Sequence, residues 1–558
     1  MSHVASFNPR SRHPRALSWI DLVFFFTILL AFSSLARAQD LQEQATNAYL
    51  AGNYAKSAEL FLKALETGNG DPTLSYNAAC ALALDGQADA AMQQLHAAVR
   101  NGFFNTNQLK KDPDLESLRA RDDWNALIQQ VELVQQSNAR RWGTEAFTSP
   151  YKPQLSAQEK RLGLTLIWAE ARYGFVNFDL APDSLDWNAR YLKFIPRVEQ
   201  AQTTFEYYRQ LQAFISGLHD GHSSVAFPPQ IYKDMVSSPA LRTERIGEDV
   251  VITRVDDPAL LVHVGDVITS IDGQEVDDYA ESQVIPYYSY STPQDRMVRE
   301  YDYGLLLGPA NESVKLELVD SEGRKRSVEI PRRTADRPPR TPPPAFELSW
   351  QEHDIAYVRL NSFGSMKAAD EWHAQYDEIR QRARGIVFDI RNNGGGNSNV
   401  GYSILADLID HATRTSSQEL MVYRATLRAW GQGQRHDPLQ YSSIAPSNRP
   451  HFEGPVAVLI GPRTYSAAED FAVAFDMTGR GALIGTATGG STGQPLSFAL
   501  PGGGSARICT KRDRYADGRE FVGKGVQPDI EVGQTLQAIR LGQDLVLQRA
   551  LEWIQQQK

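Results

Sequence analysis

Two nearly unbroken apolar runs, GIVFDI (385–390) and VAVLI (456–460), constrain this chain most. A strand apolar on both faces must be covered on both faces, as in the buried, mostly parallel sheets of α/β proteins. IAYVRL (355–360) and ALIGT (482–486) read the same way. Between them lie stretches with helical spacing, from about Met366, near Val400 and from Ser466, so strands and helices alternate. An amphipathic segment, 544–554, closes the chain.

With 558 residues, more than one core is required. Upstream of the α/β region, RPPRTPPPAF (337–346) carries five prolines and reads as a stiff, extended linker. Before it the period is two: DVVITRV, DVITSIDG and SVKLELVDSEGRKRSVEI alternate apolar with polar residues, and Asp272-Gly273 is a hairpin-turn dipeptide. GDVITSIDGQEV resembles a PDZ domain, although no Gly-Leu-Gly-Phe carboxylate-binding loop is visible. Residues 155–230 have amphipathic helical spacing. Residues 42–110 repeat with a period of 34: Ala45 with Ala79, Gly52 with Gly86, Ser57 with Ala91, Phe61 with Leu95, Ala64 with Ala98, Gly68 with Gly102. Small residues at helix crossings and helix-ending glycines at one period resemble the tetratricopeptide repeat. The expected organisation is therefore a signal peptide (1–38), helical repeats (39–140), a helical segment (150–230), a PDZ-like domain (235–335), the linker (336–346) and an α/β domain (347–558).

The signal peptide follows from Arg10, Arg12 and Arg15 before an 11-residue apolar run, LVFFFTILLAF, with Ala36-Arg37-Ala38 after it. The run is shorter than the roughly 20 residues that span a bilayer, so no stable span is expected after cleavage. Without residues 1–38 the chain has 53 basic and 66 acidic side chains, a net charge of −13 that argues against nucleic-acid binding. Cys80 and Cys509, the only cysteines, are expected as buried free thiols. Secretion or a periplasmic location is the implied destination.

Three segments carry chemistry. DIRNNGGGNS (389–398) places a glycine triplet just past a strand, where exposed amides suit a developing oxyanion. TYSAAE places Ser466 between a strand and a helix start, fit either for a nucleophile or for a helix cap with Glu469. LHDGHSSV (218–225) offers His219 and His222, each a candidate base or a buried structural histidine. No metal-ligand spacing, phosphate loop or dinucleotide fingerprint is visible, so no metal or cofactor is expected.

Taken together, DIRNNGGG, TYSAAE and GKGVQPDI (523–530) resemble the C-terminal-processing, or tail-specific, serine proteases, from about Gln158 to the C-terminus. The resemblance implies a crotonase-like β-β-α core, Ser466 as nucleophile, and an oxyanion hole from Gly394 or Gly395 with Ala467. Many members place a lysine about 25 residues after the serine. Here GTATGGSTGQP (485–495) has Ser491 there, and no lysine falls in that segment. The tricorn-like branch uses a histidine from the segment before the PDZ-like domain, which matches His222, and an acid near the GVQPDI-type motif. Glu520 is the expected acid, with Asp513 and Asp517 as alternatives; Gly221 stands where that branch has a serine. The implied function is a serine endopeptidase acting on polypeptides, with a possible protein partner at the helical repeats. A non-catalytic ligand- or peptide-binding protein on the same fold is the alternative.

Overall fold

In a computed structural model of the chain, residues 41–42, 44–49, 51–67, 71–332, 342–433, 435–436 and 440–557 are described. The expected signal peptide, Gly68 of the repeat and residues 336–341 of the linker lie outside them. The chain divides into two units, 1–141 and 142–558.

In the first unit, helices Tyr54–Thr67, Pro72–Leu84, Ala88–Arg100 and Thr106–Lys111 follow one another, and Trp124–Trp142 ends it. The residues that recur at 34 are the ones buried: Ala45 and Ala79, Ser57 and Ala91, Phe61 and Leu95, Ala64 and Ala98. Gly52 and Gly86 turn the chain at φ 73° and 80°, backbone that costs glycine nothing sterically.

The second unit is built on a six-stranded sheet in the order Ile530–Glu531, Gly481–Gly485, Val456–Ile460, Gly385–Asp389, Ile355–Leu360, Phe346–Gln351. All neighbours are parallel except the last pair. The apolar runs of the sequence are its centre, and they are covered on both faces. Ile386, Phe388, Val456 and Val458 pack toward helices Lys367–Arg382 and Ala467–Thr478, in one core with Trp372 and Phe471. Val387, Ala457 and Leu459 pack toward the C-terminal helix Leu545–Gln556 through Val546, Ala550 and Ile554. Each large apolar side chain so buried is worth about 1.5–3 kcal/mol. The sheet is thus a rigid base for the loops at its strand ends.

A separate antiparallel sheet joins Leu241–Ile246, Asp249–Val255, Val267–Ile271, Ser313–Val319 and Lys325–Pro331. Asp272 and Gly273 both have positive φ, 49° and 85°, as a two-residue type I′ hairpin turn demands.

Helices Ala157–Gly174, Trp187–Gln200 and Thr204–Ile215 pack around Phe175, Trp187 and Phe214. They lead to strand Ser224–Ala226, which pairs antiparallel with Ser505–Cys509, Val225 opposite Ala506. That pairing fixes the preceding loop, 219–223, against the α/β part. Unanticipated in the sequence is a further sheet in which Thr413–Val422 pairs with Gln440–Ile444 and Lys511–Tyr515.

Candidate active site

Ser466 stands between strand Val456–Ile460 and helix Ala467–Thr478 with φ 57° and ψ −127°. A left-handed φ at a non-glycine residue costs about 1–3 kcal/mol and persists only where the surroundings enforce it. Here they do. The Tyr465 amide donates to Asn393 O at 3.0 Å and the Ser466 amide to Ser491 O at 3.1 Å. The Thr464 hydroxyl donates to Ile390 O at 3.0 Å. The helix behind the serine is buried from Ala467 through Phe475, so the turn cannot drift.

Folding brings His222 to this serine across 244 positions: His222 Nε2 lies 3.1 Å from Ser466 Oγ. His219, the other histidine of the motif, packs instead on Tyr290, with ring centres 4.9 Å apart. The far nitrogen of His222, Nδ1, lies 2.7 Å from the hydroxyl of Ser491. Ser491, which stands where the resemblance implies a lysine, is therefore the residue that meets the imidazole. Burial holds His222 down to about 3, helped by the positive charges of Arg507, Arg299 and Lys511. The ring is neutral at ordinary pH, and a proton on Nδ1 leaves Nε2 free to accept the one on Ser466.

The expected acids are not the partners of the imidazole, whose two nitrogens meet Ser466 and Ser491. Glu520 is 39% exposed at its side chain and pairs with Arg514 and Lys524 at 3.3 and 3.4 Å, which corrects its assignment beside the histidine. Asp517 pairs with Arg519 at 2.8 Å, and Asp513 with Lys511 at 2.9 Å.

Tyr465, unflagged by the sequence, stacks on His222 with ring centres 5.1 Å apart and planes at 14°. Its hydroxyl accepts from Arg299 Nη2 at 3.0 Å and hydrogen-bonds Ser491 as well. Arg299 also donates to Gly221 O at 3.2 Å and is paired with Asp295 at 2.8 Å. The Gly221 amide donates to Ser291 Oγ at 2.9 Å. Gly221 is glycine for a steric reason: a Cβ there would overlap the Tyr465 hydroxyl and stand 2.6 Å from Arg299 Nη2. The serine of the tricorn-like pattern has no room.

Glu469 is the second residue the sequence undervalued. It is wholly buried, and one carboxylate gathers the amides of Gly490 (2.7 Å) and Ser491 (2.9 Å), the Ser466 amide (3.3 Å) and the Thr488 hydroxyl (2.5 Å). It ties the loop that presents Ser491 to the turn that presents Ser466. Burial pushes its acidity to about 7 against the pull of those donors.

Of the glycine triplet, Gly395 touches the turn most closely: a Cβ on it would lie 2.7 Å from Ser466 Cβ and 2.9 Å from the Ala467 nitrogen. Its amide, however, donates to Asn393 Oδ1 at 2.9 Å and is spoken for. A Cβ on Gly394 would meet nothing within 4 Å, so Gly394 faces open space. Among the described residues one trio has metal-ligand spacing, Cys80, Asp112 and Asp114 in the first unit. There Tyr76 donates to Asp112 and Tyr49 to Asp114, which fills acceptor sites a cation would need.

Residues 354–532 match peptidase family S41. The C-terminal processing peptidase of the chloroplast of Tetradesmus obliquus is 29% identical over 181 residues, 32% of this chain and 36% of that protein. The carboxyl-terminal-processing protease of Picosynechococcus sp. is 28% identical over 181 residues, 32% of this chain and 39% of that protein. The match thus spans under half the length of either relative. Among solved structures, mature CPAF complexed with lactacystin superposes with a TM-score of 0.58 at 14% identity, covering 72% of this chain and 97% of that one. Free mature CPAF gives 0.56 at 14% identity, over 69% and 94%. At such identity the likeness is one of fold. The similarity to peptidase family S41 is carried by residues 354–532.

Proposed function

We propose that this chain is a serine endopeptidase that cleaves extended or unfolded polypeptides through an acyl-enzyme. The observation that carries the proposal is the 3.1 Å approach of His222 Nε2 to the hydroxyl of Ser466, on a strained turn at a helix start. Ser466 Oγ attacks the peptide carbonyl carbon and its proton passes to His222 Nε2. The Nδ1–H of the resulting imidazolium donates to Ser491 Oγ, so Ser491 is a positioning residue in the place usually held by an acid. The oxyanion faces the amides of Gly394 and Ala467 at the positive end of the helix. His222 then gives its proton to the leaving amine, and water admitted to the acyl-enzyme is activated by the same nitrogen. The relatives named carboxyl-terminal-processing proteases support this class of reaction.

In this proposal residues 347–558 form the crotonase-like catalytic domain, residues 235–335 a PDZ-like domain that helps present substrate, and the helical repeats a surface for a protein partner. The signal sequence read at 1–38 sends the chain to the periplasm or outside the cell. The test is labelling of the purified protein by a fluorophosphonate probe, beside Ser466→Ala and His222→Ala. Labelling in the wild type and its loss in both variants is expected. An unlabelled wild type refutes the activated serine and returns the chain to the ligand-binding alternative.

A further inference from the structure

A cavity of about 260 Å³ opens directly beside the nucleophile, lined by Ser466 and Ala467 and, deeper in chemistry than in apolar surface, by Asp470, Lys511 and Asp513. The remaining walls are largely amides and hydroxyls, such as Asn399, Gln418 and Gln494. Its charged groups are firmly placed. Asp470 accepts from Ser398 Oγ at 2.6 Å and from Thr492 Oγ1 at 3.1 Å. Asp513, 2% exposed, binds Lys511 Nζ through Oδ1 at 2.9 Å. Its second oxygen, Oδ2, is buried and has no hydrogen-bond partner among the described residues. An unsatisfied carboxylate oxygen of this kind costs stability unless something completes it.

We propose that this cavity receives the side chain on the acyl side of the scissile bond, and that it selects lysine or arginine there. The assignment rests on the peptidase function proposed above. Two carboxylates, Asp470 and Asp513, stand against one ammonium, Lys511, in the cavity, and a cationic side chain makes the account neutral. An aliphatic side chain would strip water from Asp470, Lys511 and Asp513 and return no hydrogen bond. An acidic one would add a third negative charge.

Internally quenched peptides identical except for lysine, arginine, norleucine or glutamate before the cleaved bond test this, with fluorophosphonate labelling run on the same preparation. Lysine and arginine should exceed norleucine in kcat/KM by about tenfold or more, the worth of one charge-assisted bond, with glutamate slowest. Asp513→Asn should bring the lysine-to-norleucine ratio toward one. Lys511→Met, which removes the competing cation, should raise it, and decides the matter if Asp513→Asn does not fold. A labelled enzyme that cleaves norleucine or glutamate peptides as fast as lysine ones overturns the pocket assignment and leaves the peptidase standing. Absent labelling together with absent cleavage overturns both.

Discussion

Replacing Ser491 with alanine isolates the feature that separates this site from a Ser–Lys dyad and from a triad with an acid. In the resting site the 2.7 Å bond from His222 Nδ1 joins two neutral groups. In the transition state the imidazole is a cation and the same bond becomes charge-assisted, worth about 1.5–3 kcal/mol in a buried setting. Alanine leaves Nδ1–H without an acceptor at a histidine that is 4% exposed, so water does not readily substitute. The loss falls on the step in which charge develops: kcat should drop by roughly 10- to 150-fold with KM nearly unchanged. The second-order rate of fluorophosphonate labelling should fall by a comparable factor. Ser491→Thr, which keeps the hydroxyl, should recover most of the rate. Glu520→Gln should stay within about twofold of wild type, since its partners are Arg514 and Lys524 at the surface. If Ser491→Ala turns over at the wild-type rate while Glu520→Gln loses an order of magnitude, the geometry has been misjudged and the acid expected from the sequence does the orienting.

Because burial and three cations hold His222 near 3, the base stays neutral in acid, and the labelling rate should show no limb with a midpoint near 6.5; such a limb, absent in a folded control, would contradict the site's electrostatics. The same depression has a linkage consequence. The unfolded chain takes up a proton near pH 6.5 that the folded chain refuses until about 3, so stability falls as pH drops through that window, and denaturant titrations of His222→Gln should show a shallower fall. Glu469→Ala strands the Gly490 and Ser491 amides and the Thr488 hydroxyl, and at about 1–3 kcal/mol each the variant should lose at least 3 kcal/mol in urea unfolding, together with labelling. Gly221→Ala should abolish labelling, because its methyl group displaces Tyr465 from His222; a fully labelled variant would show that the stack does not position the ring.

The parts legible in the sequence are those where one residue's environment is set by its neighbours in the chain. GIVFDI and VAVLI could only be buried strands, Asp272-Gly273 could only turn a hairpin, and the 34-residue period marks the side chains that are buried in the first unit. The nucleophile's position is of the same kind, since a strand, a sharp turn and a helix are consecutive. What escaped depends on where distant loops lie. Nothing around position 491 distinguishes an imidazole partner from any loop serine; its place is fixed by Glu469, which a local pattern presents as half of a capping box and which in the fold collects two amides and a hydroxyl from residues 19 to 22 positions away. Glu520 failed for the complementary reason. Proximity to GKGVQPDI in sequence says nothing of direction, and the turn at Asp517-Gly518 sends Glu520 back toward Arg514 on the preceding strand. Gly221 joins the two lessons. Read alone, it is a serine lost from a pattern; read with Tyr465, it is the space that a tyrosine hydroxyl occupies. The Tyr465 hydroxyl is the atom a Cβ at position 221 would overlap most, so the double variant Gly221→Ser with Tyr465→Phe should be better tolerated than Gly221→Ser alone. Strict additivity of the two single effects, measured as stability in a double-mutant cycle, would show that the two residues do not share that space.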